Sequence, residues 1–384
     1  MHKNYAIFVD NIIQREVGKM AEEKKVADDI SKVDKNLEVK TKLDVDDAVF
    51  YDSKKAPFDL YGLCKTELDV FKRMPSKVGE SVSAGVNRLN YHTAGGRVRF
   101  TTDSDYVAIK CTMPVICNFS HMPRTGSSGF DLFEVDNGCY TYLGTFVPPK
   151  DMTDGYESLQ WLRGGKRERC LEINFPLYNR VDDLYIGVRE GSFVGEGQKY
   201  KFEKPVLYYG SSITQGGCAS RPSNCYQGII SHELDCDHIN LGFSGSALGE
   251  KEIVDYMCKI DASVFVCDYD YNAPNAEHLK ATHLPLYKAY REAHPDTPII
   301  LISGINALFS NDDRIKRRQI VLDTYNYAIS QGDKNVSFID GHTLFGGRYG
   351  NVYTVDNAHP NDAGFVRMAD FIGRDVEMFL RKNK

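Results

Sequence analysis

Residues 205–214 read Pro-Val-Leu-Tyr-Tyr-Gly-Ser-Ser-Ile-Thr, a short apolar run that gives way to small and hydroxyl-bearing residues. The apolar part, 205–209, is typical of a buried strand. The small residues that follow allow a sharp turn from this strand into a helix, with the hydroxyl of Ser212 at the turn. Alone, Gly-Ser-Ser is more often an ordinary turn, so the stretch gains meaning only from a partner elsewhere in the chain.

A second stretch, 356–360, reads Asp-Asn-Ala-His-Pro. Asp356 precedes His359 by three residues, so one turn can bring both side chains to the same nucleophile. A serine hydroxyl is a poor nucleophile at neutral pH and needs a base, and that base needs an orienting partner. We therefore predict a catalytic triad of Ser212, His359 and Asp356. The alternative is that Asp356 only caps a helix.

The order of these blocks resembles that of the SGNH (GDSL-type) hydrolases. Gly210–Thr214 matches the nucleophile block of that family, although Ser211 stands where Asp is usual. Residues 239–245, Ile-Asn-Leu-Gly-Phe-Ser-Gly, resemble the second block, which implies that Gly245 donates a hydrogen bond in an oxyanion hole. Residues 356–359 match the last block, Asp-x-x-His.

The third block of the family, Gly-x-Asn-Asp, is absent as such. In its place an apolar run from 264 ends in Cys-Asp-Tyr-Asp-Tyr-Asn at 267–272. The resemblance implies that Asn272, with Asn275 in reserve, supplies the side-chain amide of the oxyanion hole. The backbone N–H groups of Ser212 and Gly245 would complete it.

From residue 203 onward, apolar runs alternate with stretches of helical periodicity. The runs are 205–209, 238–243, 263–268, 298–303 and 335–340. This alternation predicts an α/β fold, with a parallel sheet covered by helices on both faces, and the family resemblance implies a flavodoxin-like arrangement. Ligands bind such sheets outside the carboxyl ends of the strands, and every candidate residue follows a predicted strand or lies in the last loop.

Residues before 201 show a different sequence pattern. Short β-prone runs separated by Gly, Asp and Asn predict a β-sandwich of jelly-roll type over 42–200. Within it, Gly-Phe-Asp-Leu-Phe at 129–133 resembles the Gly-x-Asp-Leu-Tyr signature of an accessory domain found in one branch of the SGNH hydrolases. Residues 1–41 carry apolar side chains at helical spacing and predict a helical extension, which would pack on its own chain or form a homo-oligomer. The catalytic domain would then span 201–384.

Composition limits the classes of partner. The net charge of −6 and the pI near 6.0 argue against a nucleic-acid partner, and no apolar run is long enough for a membrane span. The N-terminus lacks the apolar core of a signal peptide, so we expect a cytoplasmic protein whose ten cysteines stay free. No spacing of Cys and His is typical of a metal site, and the proposed chemistry needs no cofactor.

The resemblance implies a serine esterase with an acyl-enzyme mechanism, and its branch favours removal of O-acetyl groups from carbohydrate. Arg221 and the aromatic stretch 268–271 are candidates for lining a polar sugar site, the alternative for Arg221 being a structural salt bridge. A general short-chain esterase, a lipase-like enzyme or a thioesterase acting on non-sugar acyl groups remains open. The sequence has no Gly-x-Ser-x-Gly motif, which argues against an α/β-hydrolase.

Overall fold

The computed structural model describes residues 34–35, 38–40, 42–305, 312–347 and 349–382. The chain divides into two compact units, 1–40 and 41–384, and all that follows concerns the second. Apart from 34–35 and 38–40, which form no α-helix, the helical extension predicted over 1–41 lies outside the described residues, as does the homo-oligomer predicted through it.

The N-terminal half of this unit contains two antiparallel sheets. Their strands are β1 (Ala48–Asp52), β2 (Asp59–Tyr61), β3 (Arg97–Thr102), β4 (Tyr106–Thr112), β5 (Phe130–Asp136), β6 (Cys139–Phe146), β7 (Gly155–Trp161), β8 (Arg169–Asn174), β9 (Asp183–Arg189) and β10 (Val194–Glu196). One sheet has the order β1-β9-β4-β7, and the other has the order β10-β3-β8-β5-β6 with β2 paired to β3. Their apolar side chains meet in one core, to which Phe100, Leu132 and Ile186 belong.

Strand β3 begins with Arg-Val-Arg-Phe, and the side chains on both of its faces are buried here. Val98 and Phe100 point into the core between the sheets, because successive side chains of a strand point to opposite faces. Arg97 and Arg99 therefore face the other way, where both are fully buried. Arg99 pairs with the equally buried Glu172 of β8 at 2.8 Å, and such burial is tolerated only when the charges are paired.

The C-terminal half contains a five-stranded parallel sheet. Its strands are β11 (Phe202–Gly210), β12 (Cys236–Gly242), β13 (Val264–Asp268), β14 (Ile299–Ile302) and β15 (Val336–Ile339), in the order β12-β11-β13-β14-β15. The described helices of the unit are α1 (Ser76–Val82), α2 (Ala84–Asn90), α3 (Arg124–Ser127), α4 (Ser212–Gln215), α5 (Tyr226–Leu234), α6 (Lys251–Met257), α7 (Ala276–Ala293), α8 (Asp312–Ser330), α9 (Gly341–Leu344) and α10 (Asp362–Lys382). No described helix is both apolar enough and long enough for a membrane span.

Both faces of the parallel sheet are covered. In β11, Tyr208 belongs to one core cluster together with Phe365 and Ile372 of α10. Its neighbour Tyr209 belongs to the cluster on the opposite face, with Leu279 of α7. The predicted fold class is confirmed: a β-rich part precedes an α/β part whose parallel sheet lies between helices.

Three strands of this sheet end at the same level. Gly210, the last residue of β11, lies opposite both Gly242 of β12 and Asp268 of β13. Gly242 also allows the end of β12 to lie close to the turn after β11, because a Cβ at this position would lie 2.2 Å from the backbone nitrogen of Gln215. The loops that follow β11, β12 and β13 are thus brought side by side at one edge of the sheet.

Candidate active site

Ser212 begins the four-residue helix α4 directly after β11. Ser211 is the N-cap of this helix, and its Oγ accepts a hydrogen bond from the N–H of Ile213 at 3.2 Å. Ser211 is fully buried, whereas Ser212 keeps 8% of its surface exposed. Ser211, which stands where the family usually has Asp, is therefore a helix cap. Ser212 presents the accessible hydroxyl at the turn.

Ser212, His359 and Asp356 form one hydrogen-bonded chain. The Oγ of Ser212 lies 2.9 Å from Nε2 of His359, and Nδ1 of His359 lies 2.7 Å from Oδ2 of Asp356. The other carboxylate oxygen of Asp356 accepts the N–H groups of Ala358 at 3.0 Å and His359 at 2.7 Å. An Nδ1–H that donates to Asp356 leaves Nε2 free to accept the serine proton.

The electrostatics of Asp356 suit this arrangement. Burial acts to raise the pKa of its carboxyl, but the hydrogen bonds from His359 and Ala358 outweigh that effect and lower the pKa from its ordinary value of 3.8. Asp356 is therefore ionised at neutral pH. A carboxylate in this position fixes the imidazole tautomer and stabilises the imidazolium.

Backbone hydrogen bonds tie the loop of His359 to the turn of Ser212. The N–H of Cys218, shortly after α4, donates to the carbonyl of Pro360 at 2.8 Å. The N–H of Ser220 donates to Asp362, the first residue of α10, also at 2.8 Å. These bonds explain why residues so far apart in sequence keep a fixed separation.

The second and third blocks also meet. The side-chain amide of Asn272 donates to the carbonyl of Phe243 at 2.8 Å, two residues before Gly245. Gly245 has φ of +66°, a conformation that favours glycine, and no atom lies within 4 Å of where its Cβ would be. Asn275 instead caps α7 by accepting the N–H of His278 at 2.9 Å. Asn272 thus lies beside the second block and Asn275 does not, and the oxyanion-hole role of Asn272 stays a prediction.

Two residues of the sandwich reach this site, and the sequence did not reveal them. The phenol of Tyr178 donates to the backbone carbonyl of Ser212 at 3.1 Å. The ring of His121, from the loop between β4 and α3, lies 5.8 Å from that of His359. Neither residue stands in a local pattern that predicts proximity to Ser212, because both contacts depend on how the two halves pack.

Among the described residues, His121, Asp356 and His359 have the spacing of a metal site, since one ligating atom from each lies within 4.8 Å of the others. A metal there would take an atom of Asp356 or His359. Those same side chains bind each other and Ser212 in the structure. The arrangement can therefore serve proton transfer or metal binding, but not both together.

Arg221 forms a salt bridge with Asp131, the acidic residue of the 129–133 motif, at 3.1 Å. Asp131 is fully buried and also accepts the N–H of Ser223 at 3.0 Å and its hydroxyl at 2.6 Å. Burial raises the pKa of Asp131, against the opposing effects of Arg221 and Ser223. Arg221 therefore forms the structural salt bridge that was the alternative to a role in substrate binding. Its contact with substrate stays a prediction.

The expectation that residues 268–271 line a sugar site is wrong for at least two of them. Asp268 and Tyr269 are both buried, and the Tyr269 ring packs against that of Tyr209 at 5.5 Å. An aromatic residue that follows an apolar strand can be buried in the hydrophobic core, as Tyr269 is directly after β13. Sequence alone could not separate that outcome from an exposed aromatic surface.

Comparison with known families agrees with this geometry. Residues 203–377 match the GDSL-like Lipase/Acylhydrolase family, and residues 48–194 match a family described as the N-terminus of SGNH-hydrolase-type esterases. The chain is an SGNH hydrolase of the GDSL type. As a member of this family it is a carboxylic ester hydrolase, and the resemblance drawn from its sequence blocks is confirmed.

Several solved structures share the fold of this SGNH hydrolase. A candidate GDSL-like lipase from Bacteroides ovatus ATCC 8483 is 26% identical with a TM-score of 0.79, over 87% of this chain and 98% of the other. A salicylyl-acyltransferase from a tetracycline biosynthetic pathway is 19% identical with a TM-score of 0.71, over 87% and 98%. A family two carbohydrate esterase from Clostridium thermocellum is 13% identical with a TM-score of 0.58, over 84% and 99%. The comparison with curated proteins gives no significant match.

Proposed function

We propose that this SGNH hydrolase removes short acyl groups, chiefly O-acetyl groups on carbohydrate, through an acyl-enzyme formed on Ser212. The observation that carries the mechanism is the hydrogen-bonded chain from Ser212 through His359 to the ionised Asp356. The same three side chains would act in both halves of the reaction.

In the first half, Oγ of Ser212 attacks the ester carbonyl carbon while Nε2 of His359 takes the hydroxyl proton. The negative charge on the carbonyl oxygen is met by the N–H groups of Ser212 and Gly245 and by the amide of Asn272. The intermediate then collapses, the imidazolium gives its proton to the leaving alkoxide, and the alcohol departs. Asp356 holds the imidazole in the tautomer that both transfers need.

In the second half, water takes the place of the alcohol. His359 removes a proton from the water as it attacks the acyl-enzyme carbonyl, and then returns that proton to Oγ of Ser212. The products are a carboxylic acid and the free serine. Losing one oxyanion donor typically costs on the order of a hundredfold or more in rate, so the three donors carry much of the acceleration.

Two observations favour carbohydrate as the alcohol. Carbohydrate esterases of family two share the two-part fold, although at 13% identity they speak for the fold alone. In addition, a cavity of about 530 Å³ has aromatic walls, one of which, Tyr178, donates a hydrogen bond to the backbone carbonyl of Ser212. Aromatic rings offer flat apolar faces to the C–H groups of a sugar ring. A lipase-like or thioesterase activity on non-sugar acyl groups is the competing function.

The test is a substrate panel with one purified enzyme. Acetylated oligosaccharides are incubated with it and followed by mass spectrometry for loss of acetyl mass, beside aryl esters from acetate to octanoate and acyl-thioesters. We expect acetate to be the best acyl group and octanoate to be close to background. A preference for octanoate or for thioesters would overturn the carbohydrate assignment.

The matched variants are Ser212→Ala and Ser211→Ala. We expect the first to abolish hydrolysis while the protein stays folded, and the second to keep activity with some loss of stability, because Ser211 caps α4. If Ser211→Ala is inactive and Ser212→Ala retains more than a few per cent of turnover, the nucleophile is Ser211.

A further inference from the structure

The cavity beside Ser212 is built mainly by the sandwich half. Its walls include Tyr91, Phe119 and Tyr178, together with Ser244 from the loop that precedes Gly245. Tyr178 also donates a hydrogen bond to the backbone carbonyl of Ser212, so one wall of the cavity contacts the nucleophile turn. A volume of about 530 Å³ lies within the range of small-molecule sites and exceeds what an acetyl group needs.

Ring contacts connect His359 to the wall of the cavity. A row of ring contacts runs from His359 to His121 at 5.8 Å, from His121 to Phe119 at 6.0 Å, and from Phe119 to Tyr178 at 5.2 Å. His359 must protonate the departing alcohol, so groups beside His359 lie beside that alcohol. The wall formed by Phe119 and Tyr178 therefore continues from the place where the alcohol leaves.

The charge of the cavity is positive, in contrast to the net charge of −6 for the whole chain. Among the described residues that line it, none is Asp or Glu. Two are arginines, and Arg180 is neutralised by Asp182. Arg88, on the exposed side of α2, has no ion pair or hydrogen bond to any described residue.

The guanidinium of Arg88 also acts on the interior of the cavity. Burial, together with the smaller effects of the charges of Arg73 and Arg88, lowers the pKa of His92 to about 3. His92 is thus neutral at physiological pH. Arg88 is the unpaired charge that a ligand in this cavity would meet.

We propose that the cavity binds the sugar ring of the leaving alcohol and that Arg88 selects a sugar bearing a carboxylate, such as a uronic acid. This inference rests on the proposed function and names its substrate class. The aromatic walls take the apolar faces of the ring. The guanidinium, whose fork matches a carboxylate, pairs with the acid group.

The experiment compares matched pairs of substrates. O-acetylated methyl glucuronide, with its carboxylate free, is compared with the glucoside acetylated at the same position, and kcat/KM is measured for each. The variants are Arg88→Ala and Arg88→Lys, and the control is Arg163→Ala, which removes another exposed arginine of the sandwich. Aryl acetate hydrolysis reports on the catalytic residues independently of the sugar.

We expect the wild type to prefer the glucuronide by about fivefold, the upper end for an exposed ion pair. The preference should disappear in Arg88→Ala, persist in part in Arg88→Lys, remain in Arg163→Ala and shrink as salt is added. Cleavage of both sugars with no preference, or a preference that survives in Arg88→Ala, overturns the inference and leaves the proposed function standing. Cleavage of aryl acetate alone, with neither sugar touched, overturns the carbohydrate assignment itself.

Discussion

Replacing Asp356 with Asn should reduce activity far more than the exchange of one oxygen for an NH₂ group suggests. In the wild type, one carboxylate oxygen accepts the N–H groups of Ala358 and His359, and the other accepts Nδ1–H of His359. Two backbone donors will hold the amide oxygen of the Asn, so its NH₂ group must face Nδ1. A donor facing Nδ1 selects the tautomer whose proton lies on Nε2.

That tautomer cannot accept the proton of Ser212, so the base is lost while the fold is kept. The equivalent change in serine proteases lowers kcat by about 10⁴-fold, and the same local logic gives a similar figure here. Such a loss is equivalent to about 5 kcal/mol of transition-state stabilisation. Substrate binding should change little, because the amide has the shape of the carboxylate.

The assay is kcat and KM for an aryl acetate, with thermal unfolding followed in parallel. The control is Asp52→Asn, because Asp52 accepts the N–H of Lys54 at 3.0 Å in a similar local turn, far from Ser212 in sequence. The reasoning is refuted if Asp356→Asn keeps kcat within tenfold of the wild type, or if it loses activity only by unfolding.

Three further outcomes follow from contacts described above. Asn272→Ala should lower kcat by about a hundredfold with little change in KM, whereas Asn275→Ala should cost about 1 kcal/mol of stability and leave kcat intact; steady-state kinetics with thermal melts decides between them, and the reverse pattern would make Asn275 the amide donor. Asp131→Ala should destabilise the protein by about 1–3 kcal/mol in denaturant unfolding, because it leaves the buried N–H and hydroxyl of Ser223 without their acceptor, while the exposed Asp136→Ala should change little. Burial raises the pKa of Asp270 to about 6 from 3.8, so its contribution to stability is present below pH ~4 and is lost as pH rises through 6. Between pH 4 and pH 7 the wild type should therefore lose up to about 3 kcal/mol of unfolding free energy relative to Asp270→Asn, and equal pH dependence of the two proteins would contradict the assignment.

The parts of the fold that follow from local patterns were predicted from the sequence. The five parallel strands were recognised because each is an apolar run bounded by helical periodicity, and the structure has strands at all five places. The separation of Asp356 and His359 also depends on one turn alone. Their approach to Ser212 was inferred from strand order, and the structure brings the three within hydrogen-bonding distance.

The parts that depend on packing between the two halves were not predicted. Arg97 and Arg99 would be placed on a surface by composition, yet both are buried because acids from distant strands pair with them. Nothing in the local sequence indicates that Tyr178 contacts the nucleophile turn or that Arg88 lines the cavity. Arg221 is a candidate because it follows the nucleophile block, and its pairing with Asp131 of the sandwich also depends on how the two halves pack.

The cavity wall has a consequence for how such an enzyme can change. The side chains that would break the ester come from loops of the parallel sheet, whereas Tyr91, Phe119 and Arg88 come from the sandwich. Mutations in that half can alter the shape or charge of the pocket while leaving the nucleophile and its base untouched. New substrates can then be acquired in small, viable steps, and a search for altered selectivity should randomise sandwich loops before any residue of the hydrolase half.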